Sequence, residues 1–183
     1  REISEKYDLQ VLRFFMLSAH YRSPLNFSAE QMESSKNSLE RIVTAAENLK
    51  HLLGGAPEGS MTESETAHYE ASEEYVKKFD EAMDDDFNTA DAIAAVFELV
   101  KYLNTHTSGE NTKDYLEKCL DRLKTLCDIL GLVVEKKAEL LDADIEVLIE
   151  ERQAARKAKN FARADEIRAL LLEKGIVLED TRE

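Results

Sequence analysis

Asp8–Phe27 reads DLQVLRFFMLSAHYRSPLNF, and the fold of the chain turns on it. It is the densest apolar run in the sequence, and between Val11 and Leu17 only Arg13 is polar. A bilayer span takes ~20 consecutive apolar residues, so the run is too short to cross a membrane. It reads as a helix buried nearly all round, the central rod of a bundle. Asp8 suits its N-cap, where a carboxylate accepts the free N–H groups of the first turn. Pro24 disfavours helix at Ser23 and stops the rod. The polar, basic exit His20-Tyr21-Arg22-Ser23 is unusual for a plain bundle and marks an interface candidate.

Working outward, the same helical period recurs along the chain. Ser28 and Gln31 match a capping box, opening a long helix to Leu53 with Leu39, Ile42, Val43, Ala46 and Leu49 on one face. Glu58–Thr66 is polar and reads as a mobile loop. A third helix is expected over Glu65–Met83, a fourth over Ala90–Thr105 capped by Asn88 or Thr89, and a fifth over Thr112–Leu130 with Gly131 at C′. Residues 132–144 read as a linker. Beyond it come helices at Ile145–Lys159 and Phe161–Lys174, then Ile176-Val177-Leu178, a short strand pattern. The expected fold is all-α: a helical bundle over 1–131, then a small, mostly helical domain over 145–183 with one short strand.

The 183 residues carry a net charge of −14, which argues against a general nucleic-acid coat. The charge is uneven. Glu58 to Glu98 holds thirteen acidic residues against Lys77 and Lys78, whereas Arg152 to Arg163 holds five basic residues and no acidic one. A nucleic-acid partner at that patch stays open. Cys119 and Cys127 lie eight apart, ~12 Å along a helix and too far for a disulfide, so they read as core thiols of a reducing compartment. With no signal peptide or membrane span, the expected location is the cytoplasm. Arg1-Glu2-Ile3 does not look like a natural start, and the chain reads as part of something longer.

Little here suggests catalysis. Asp84-Asp85-Asp86 offers oxygen ligands but lacks the spacing of a calcium loop, and reads better as a helix junction where Asp86 favours the next N-terminus. The four histidines, His20, His51, His68 and His106, have no metal-ligating partner at i+3 or i+4, and no phosphate loop or nucleophile elbow is present. The basic run is more informative. Arg152, Arg156, Lys159 and Arg163 fall at i, i+4, i+7 and i+11, one face if the helix continued through. Phe161 sits inside the patch. Cations that follow phosphates and an aromatic ring that stacks a base are how proteins hold unstacked RNA. A solvated face with pairs such as Glu151 with Arg156 has the same composition.

Three strings carry a resemblance. Asp8–Ser28 closely resembles the segment that follows the catalytic domain in bacterial cysteinyl-tRNA synthetases. Met83–Ala90, MDDDFNTA, looks like the same family's helical-domain signature. Ala155–Asp165, ARKAKNFARAD, and Gly175–Thr181, GIVLEDT, look like its anticodon-binding end. They occur in the family's order and span essentially the whole chain.

The resemblance implies the tRNA-binding region of a class I aminoacyl-tRNA synthetase, a cysteine–tRNA ligase. The bundle would contact the inside of the tRNA L and the small domain, α+β in the full family, would read the GCA anticodon. Arg156, Phe161, Asp165, Arg168 and Asp180 are the implied anticodon contacts. Arg152, Lys159, Arg163, His20, Tyr21 and Arg22 are further RNA or interdomain candidates. No catalytic or metal-binding residue is expected in this chain. The implied parent enzyme uses ATP with Mg and one zinc ion, on a catalytic domain preceding Arg1. The implied partners are tRNA-Cys and that domain, in a monomer, with no membrane. Some relatives carry Trp where Phe161 stands, which a stacking role tolerates. The family continues past Asp180 with a basic tail, whereas this sequence ends at Glu183. Two alternatives remain at this point: a helical interaction module without RNA, or part of a related ligase joining cysteine to an amino-sugar.

Overall fold

The computed structural model describes residues 6–135, 142–157 and 160–173. Among them are eight helices: α1 Leu9–Leu17, α2 Ala29–Gly55, α3 Glu63–Ala71, α4 Glu73–Asp84, α5 Thr89–His106, α6 Lys113–Ile129, α7 Asp142–Lys157 and α8 Phe161–Glu173. The fold is helical, as the period requires. The strand expected at 176–178 lies outside the described residues. The chain divides into two compact units, Arg1–Lys136 and Lys137–Glu183. Leu132 and Val134, within the expected linker, are buried in the first unit's core, and α7 already begins at Asp142.

The caps follow from the sequence. The Asp8 carboxylate accepts the Gln10 N–H at 2.8 Å, and the Ser28 hydroxyl accepts the Gln31 N–H at 3.2 Å. Asn88 is the cap of α5. The core of the first unit is built from α2, α5 and α6. Met32, Leu39, Ile42 and Leu49 of α2 meet Ile93, Val96, Leu99 and Leu103 of α5 and Leu116, Leu123 and Cys127 of α6.

The expected central rod is corrected here. α1 buries Val11, Phe14 and Phe15 against α2 and α5, but Leu9 and Met16 are each 62% exposed. A helix apolar all round needs partners all round, and α1 has them on one side only. The central role passes to α2 and α5, which bury seven residues each.

The helix expected over Glu65–Met83 is two helices hinged at Ser72. The Ser72 hydroxyl donates to Tyr69 O at 2.7 Å, and Arg122 reaches across from α6 to Tyr69 O at 2.7 Å, to the Ser72 hydroxyl and to Glu73 at 2.7 Å. The guanidinium also lies 3.7 Å from the Tyr69 ring centroid. The expected loop ends early, because Thr62 and Glu65 form a capping box that starts α3 at Glu63. Glu65 then does more than cap. Its carboxylate accepts five hydrogen bonds: from the Thr62 N–H (2.8 Å) and hydroxyl (3.0 Å), the Thr112 N–H (2.8 Å) and hydroxyl (3.0 Å), and the Asn111 amide (3.0 Å). Thr112 is the N-cap of α6, so one carboxylate ties two helix starts together.

Candidate nucleic-acid interface

The second unit is a hairpin of α7 and α8. Ala164, Ile167 and Leu171, spaced i, i+3 and i+7, are buried and form the apolar seam of α8. The two helices are not continuous. The Asn160 N–H donates to Ala155 O at 2.8 Å, and the Asn160 side-chain oxygen accepts the Arg163 N–H at 3.3 Å, capping a new helix. The single basic face expected from Arg152 through Arg163 is therefore not formed.

The hairpin sorts the candidate residues. Arg152 is 8% exposed and belongs to the interior. Arg163 is spent on structure: its Nε and Nη2 donate to Glu151 Oε1 at 3.1 and 3.0 Å, and Nη1 donates to Glu166 Oε2 at 3.0 Å. Glu166 first and Glu151 second push its pKa up. The guanidinium thus clamps α7 to α8. Phe161, Asp165 and Arg168 fall at i, i+4 and i+7, a stripe about 10 Å long on one side of α8, and all three are exposed. Phe161 is 62% exposed, an unusual fate for a phenyl ring at the start of a helix. Arg156 is exposed near the end of α7. Asp180 and Lys159 lie outside the described residues. The stripe combines a stacking ring, a cation and a hydrogen-bond acceptor without burial, a set suited to unstacked bases.

In the first unit the other candidates converge. The Tyr21 hydroxyl donates to Asp86 Oδ1 at 2.9 Å, Arg22 Nη1 lies 3.0 Å from Asp86 Oδ2, and His20 Nε2 lies 3.9 Å from it. The His20 ring stacks on Tyr21 at 4.8 Å, and the Thr89 hydroxyl donates to Leu17 O at 2.8 Å. The hydrogen bond that the Tyr21 hydroxyl donates to Asp86 is the chief cause that raises the tyrosine's pKa. The expectation that Asp86 serves the next N-terminus is replaced: Asn88 accepts the Asp91 N–H at 3.2 Å, while Asp86 binds the α1 exit. Asp86 and Phe87 hold φ of 57° and 54°, left-handed values that cost a bulky non-glycine residue roughly 1–2 kcal/mol. The turn leaves Phe87 67% exposed. Sequence reasoning missed Asp86 as the organiser and Phe87 as a surface group, although the MDDDFNTA string held both.

Among the described residues no group of three or more His, Cys, Asp or Glu side chains could hold a metal ion. Burial pushes the Cys119 thiol up to about 11 and Cys127 to about 12, so neither is a ready thiolate ligand. No described helix is long and apolar enough to cross a membrane.

Residues 78–135 match the family model described as the DALR domain, and residues 138–183 match the cysteinyl-tRNA ligase anticodon binding domain. The chain is 60% identical over 183 residues to a cysteine–tRNA ligase of Lachnospira eligens, covering 100% of this chain and 39% of the relative. It is 56% identical over 188 residues to that of Lachnoclostridium phytofermentans, covering 100% and 40%. The corresponding protein of Clostridioides difficile is 46% identical over 183 residues, with 100% and 39% covered. The chain therefore spans about two-fifths of the length of the curated relatives it matches.

Proposed function

Because this chain belongs to the cysteine–tRNA ligase family through a DALR domain and an anticodon-binding domain, we propose that it is the tRNA-binding part of such a ligase, with α8 reading the anticodon of tRNA-Cys. The observation that carries the reading is the exposed Phe161–Asp165–Arg168 stripe, which lies within the anticodon-binding match. Phe161 stacks on a splayed anticodon base. Asp165 accepts hydrogen bonds from base amino groups. Arg168 and Arg156 take phosphate oxygens or acceptor edges. Asp180 and Lys159 are further contacts on the strength of the resemblance alone. Arg163 and Arg152 act indirectly, holding the hairpin that aims α8. In this reading the bundle of residues 1–131 braces the inner face of the tRNA, and the linker of 132–144 narrows to the residues after Val134.

Attachment of cysteine with ATP and Mg, and any zinc ion, belongs on this reading to the rest of the ligase, and no step of it is assigned to residues here. A cytoplasmic monomer is the state in which we expect the ligase to work. The test is a titration of the chain against tRNA-Cys over a range of salt concentrations, alongside Arg156→Glu and Arg168→Glu. Each reversal should weaken binding tenfold or more and flatten the salt dependence by about one charge. Affinity that neither reversal changes would refute the reading.

A further inference from the structure

His68 and His106 have no metal-ligating partner along their own helices, but the fold brings the two together. His68 sits in the last turn of α3, and His106 is the last residue of α5. Their ring centroids are 4.5 Å apart, with the planes tilted by 46°. Tyr102, one turn before His106, touches both. Its carbonyl oxygen lies 2.9 Å from His106 Nδ1. A carbonyl only accepts, so in the neutral ring Nδ1 carries the proton and Nε2 keeps a lone pair. The Tyr102 hydroxyl donates to His68 O at 3.1 Å, which leaves its oxygen able to accept from His68 Nδ1 at 3.4 Å. That bond holds His68 in the same tautomer. Neither Nε2 has a hydrogen-bond partner among the described residues. Both histidines are half-buried, and His106 borders an open groove with Thr105 and Lys101.

We propose that His68 and His106 form a two-imidazole site for a divalent transition-metal ion of tetragonal preference, Ni(II) or Cu(II), with water in the remaining positions. Imidazole suits these ions, and a metal-binding histidine characteristically donates its other ring N–H to an oxygen, as both do here. The spacing fits a cis pair. An ion about 2.1 Å from Nε2 lies roughly 3.2 Å from the ring centroid, so two imidazoles at 90° on one ion have centroids about 4.5 Å apart, against about 5.2 Å at the tetrahedral angle. The two rings here stand at 4.5 Å. Charge fits as well. Each histidine lies at a helix C-terminus, where the partial negative charge of the helix favours a cation. Lys78, which borders the same groove, is already neutralised by Glu74 at 3.1 Å and Glu98 at 2.8 Å. The ion would tie the end of α3 to the end of α5. Two ligands from different helices escape a search for partners at i+3 or i+4, which reads one helix at a time.

Calorimetric titration of the untagged 183-residue chain with Ni(II) reads the site directly. Wild type should bind one ion in the presence of excess Mg(II), which prefers oxygen ligands. His68→Gln and His106→Gln should each weaken binding at least tenfold, whereas His51→Gln, at an exposed position of α2, should leave it unchanged. Affinity equal in wild type and in either of the first two variants would overturn the proposal and assign the ion to the acidic surface. No binding by wild type would overturn it as well. Ni(II) at about a hundred times its Kd should raise the melting temperature of wild type by about 5 °C and leave that of His106→Gln unmoved. Equal shifts in the two proteins would overturn the clamp between α3 and α5. Electron paramagnetic resonance of wild type with one equivalent of Cu(II) needs no variant to fold. It should show two imidazole nitrogens in the equatorial plane, and one or none would overturn the proposal.

Discussion

Replacing Glu65 by Gln removes one charge and almost no volume, and its effect can be worked from the structure. The side chain is 5% exposed. Burial alone would raise its pKa, but the Thr62 and Thr112 N–H groups, with the Asn111 and Thr112 side chains, outweigh it and lower the pKa from 4.5 to about 2. At 1.36 kcal/mol per pKa unit, that depression corresponds to about 3 kcal/mol favouring the folded state when the group is ionised. Because the folded pKa is the lower one, this stability is fully present above the unfolded value of 4.5. It is lost as pH falls toward about 2. Gln also turns an N–H donor toward groups that are themselves donors, leaving one of them unpaired. Urea unfolding followed by circular dichroism should show Glu65→Gln about 3 kcal/mol less stable at pH 7, a loss of roughly 10 °C in melting temperature. The gap between the two proteins should close between pH 4.5 and about 2, other carboxylates cancelling in the difference. A gap under ~0.5 kcal/mol at pH 7, or one independent of pH, refutes the idea that one carboxylate pins the starts of α3 and α6.

Gly131 holds φ of +65°, and a Cβ there would meet the Arg13 guanidinium, so Gly131→Ala should destabilise the bundle by about 1–2 kcal/mol in the same unfolding assay. Asp86→Asn keeps a residue that tolerates the left-handed turn but removes the charge at the Tyr21 hydroxyl. The Tyr21 pKa should move down toward its ordinary value, read by ultraviolet titration of the phenol. Arg163→Ala should loosen the α7–α8 clamp, seen as faster amide exchange in α8, while α1–α6 exchange is unchanged.

Local rules carried the caps well. Asp8, Ser28 and Asn88 each perform the capping role their side chains suggested, because a cap needs only its own next two or three residues. The same rule was available at Thr62-Glu63-Ser64-Glu65, where a polar, Gly-containing approach read as loop instead. Contacts across long separations were not legible. Ser72 breaks a helix with no Pro or Gly, because Arg122, fifty residues on, bonds it and Tyr69. His20, Tyr21 and Arg22 were singled out in one string and Asp86 in another, and nothing local says that they meet. α1 misled for a related reason: its apolar run reports what the helix buries in total, and part of that surface is uncovered here. At the candidate interface, residue types were readable but their division was not. Arg163 and Phe161 looked like equal members of one patch until the Asn160 cap turned the chain and committed Arg163 to Glu151 and Glu166.

The most direct test of anticodon reading by α8 compares the affinity of the chain for tRNA-Cys with its affinity for the same tRNA carrying one changed anticodon base, in wild type and in Phe161→Ala. Stacking of one base on an aromatic ring contributes roughly 1–3 kcal/mol. The account predicts that wild type prefers the unchanged anticodon, and that Phe161→Ala loses about 5- to 150-fold in affinity and most of that preference. Equal affinity of the wild-type chain for both tRNAs, or a Phe161→Ala variant with its preference intact, contradicts it.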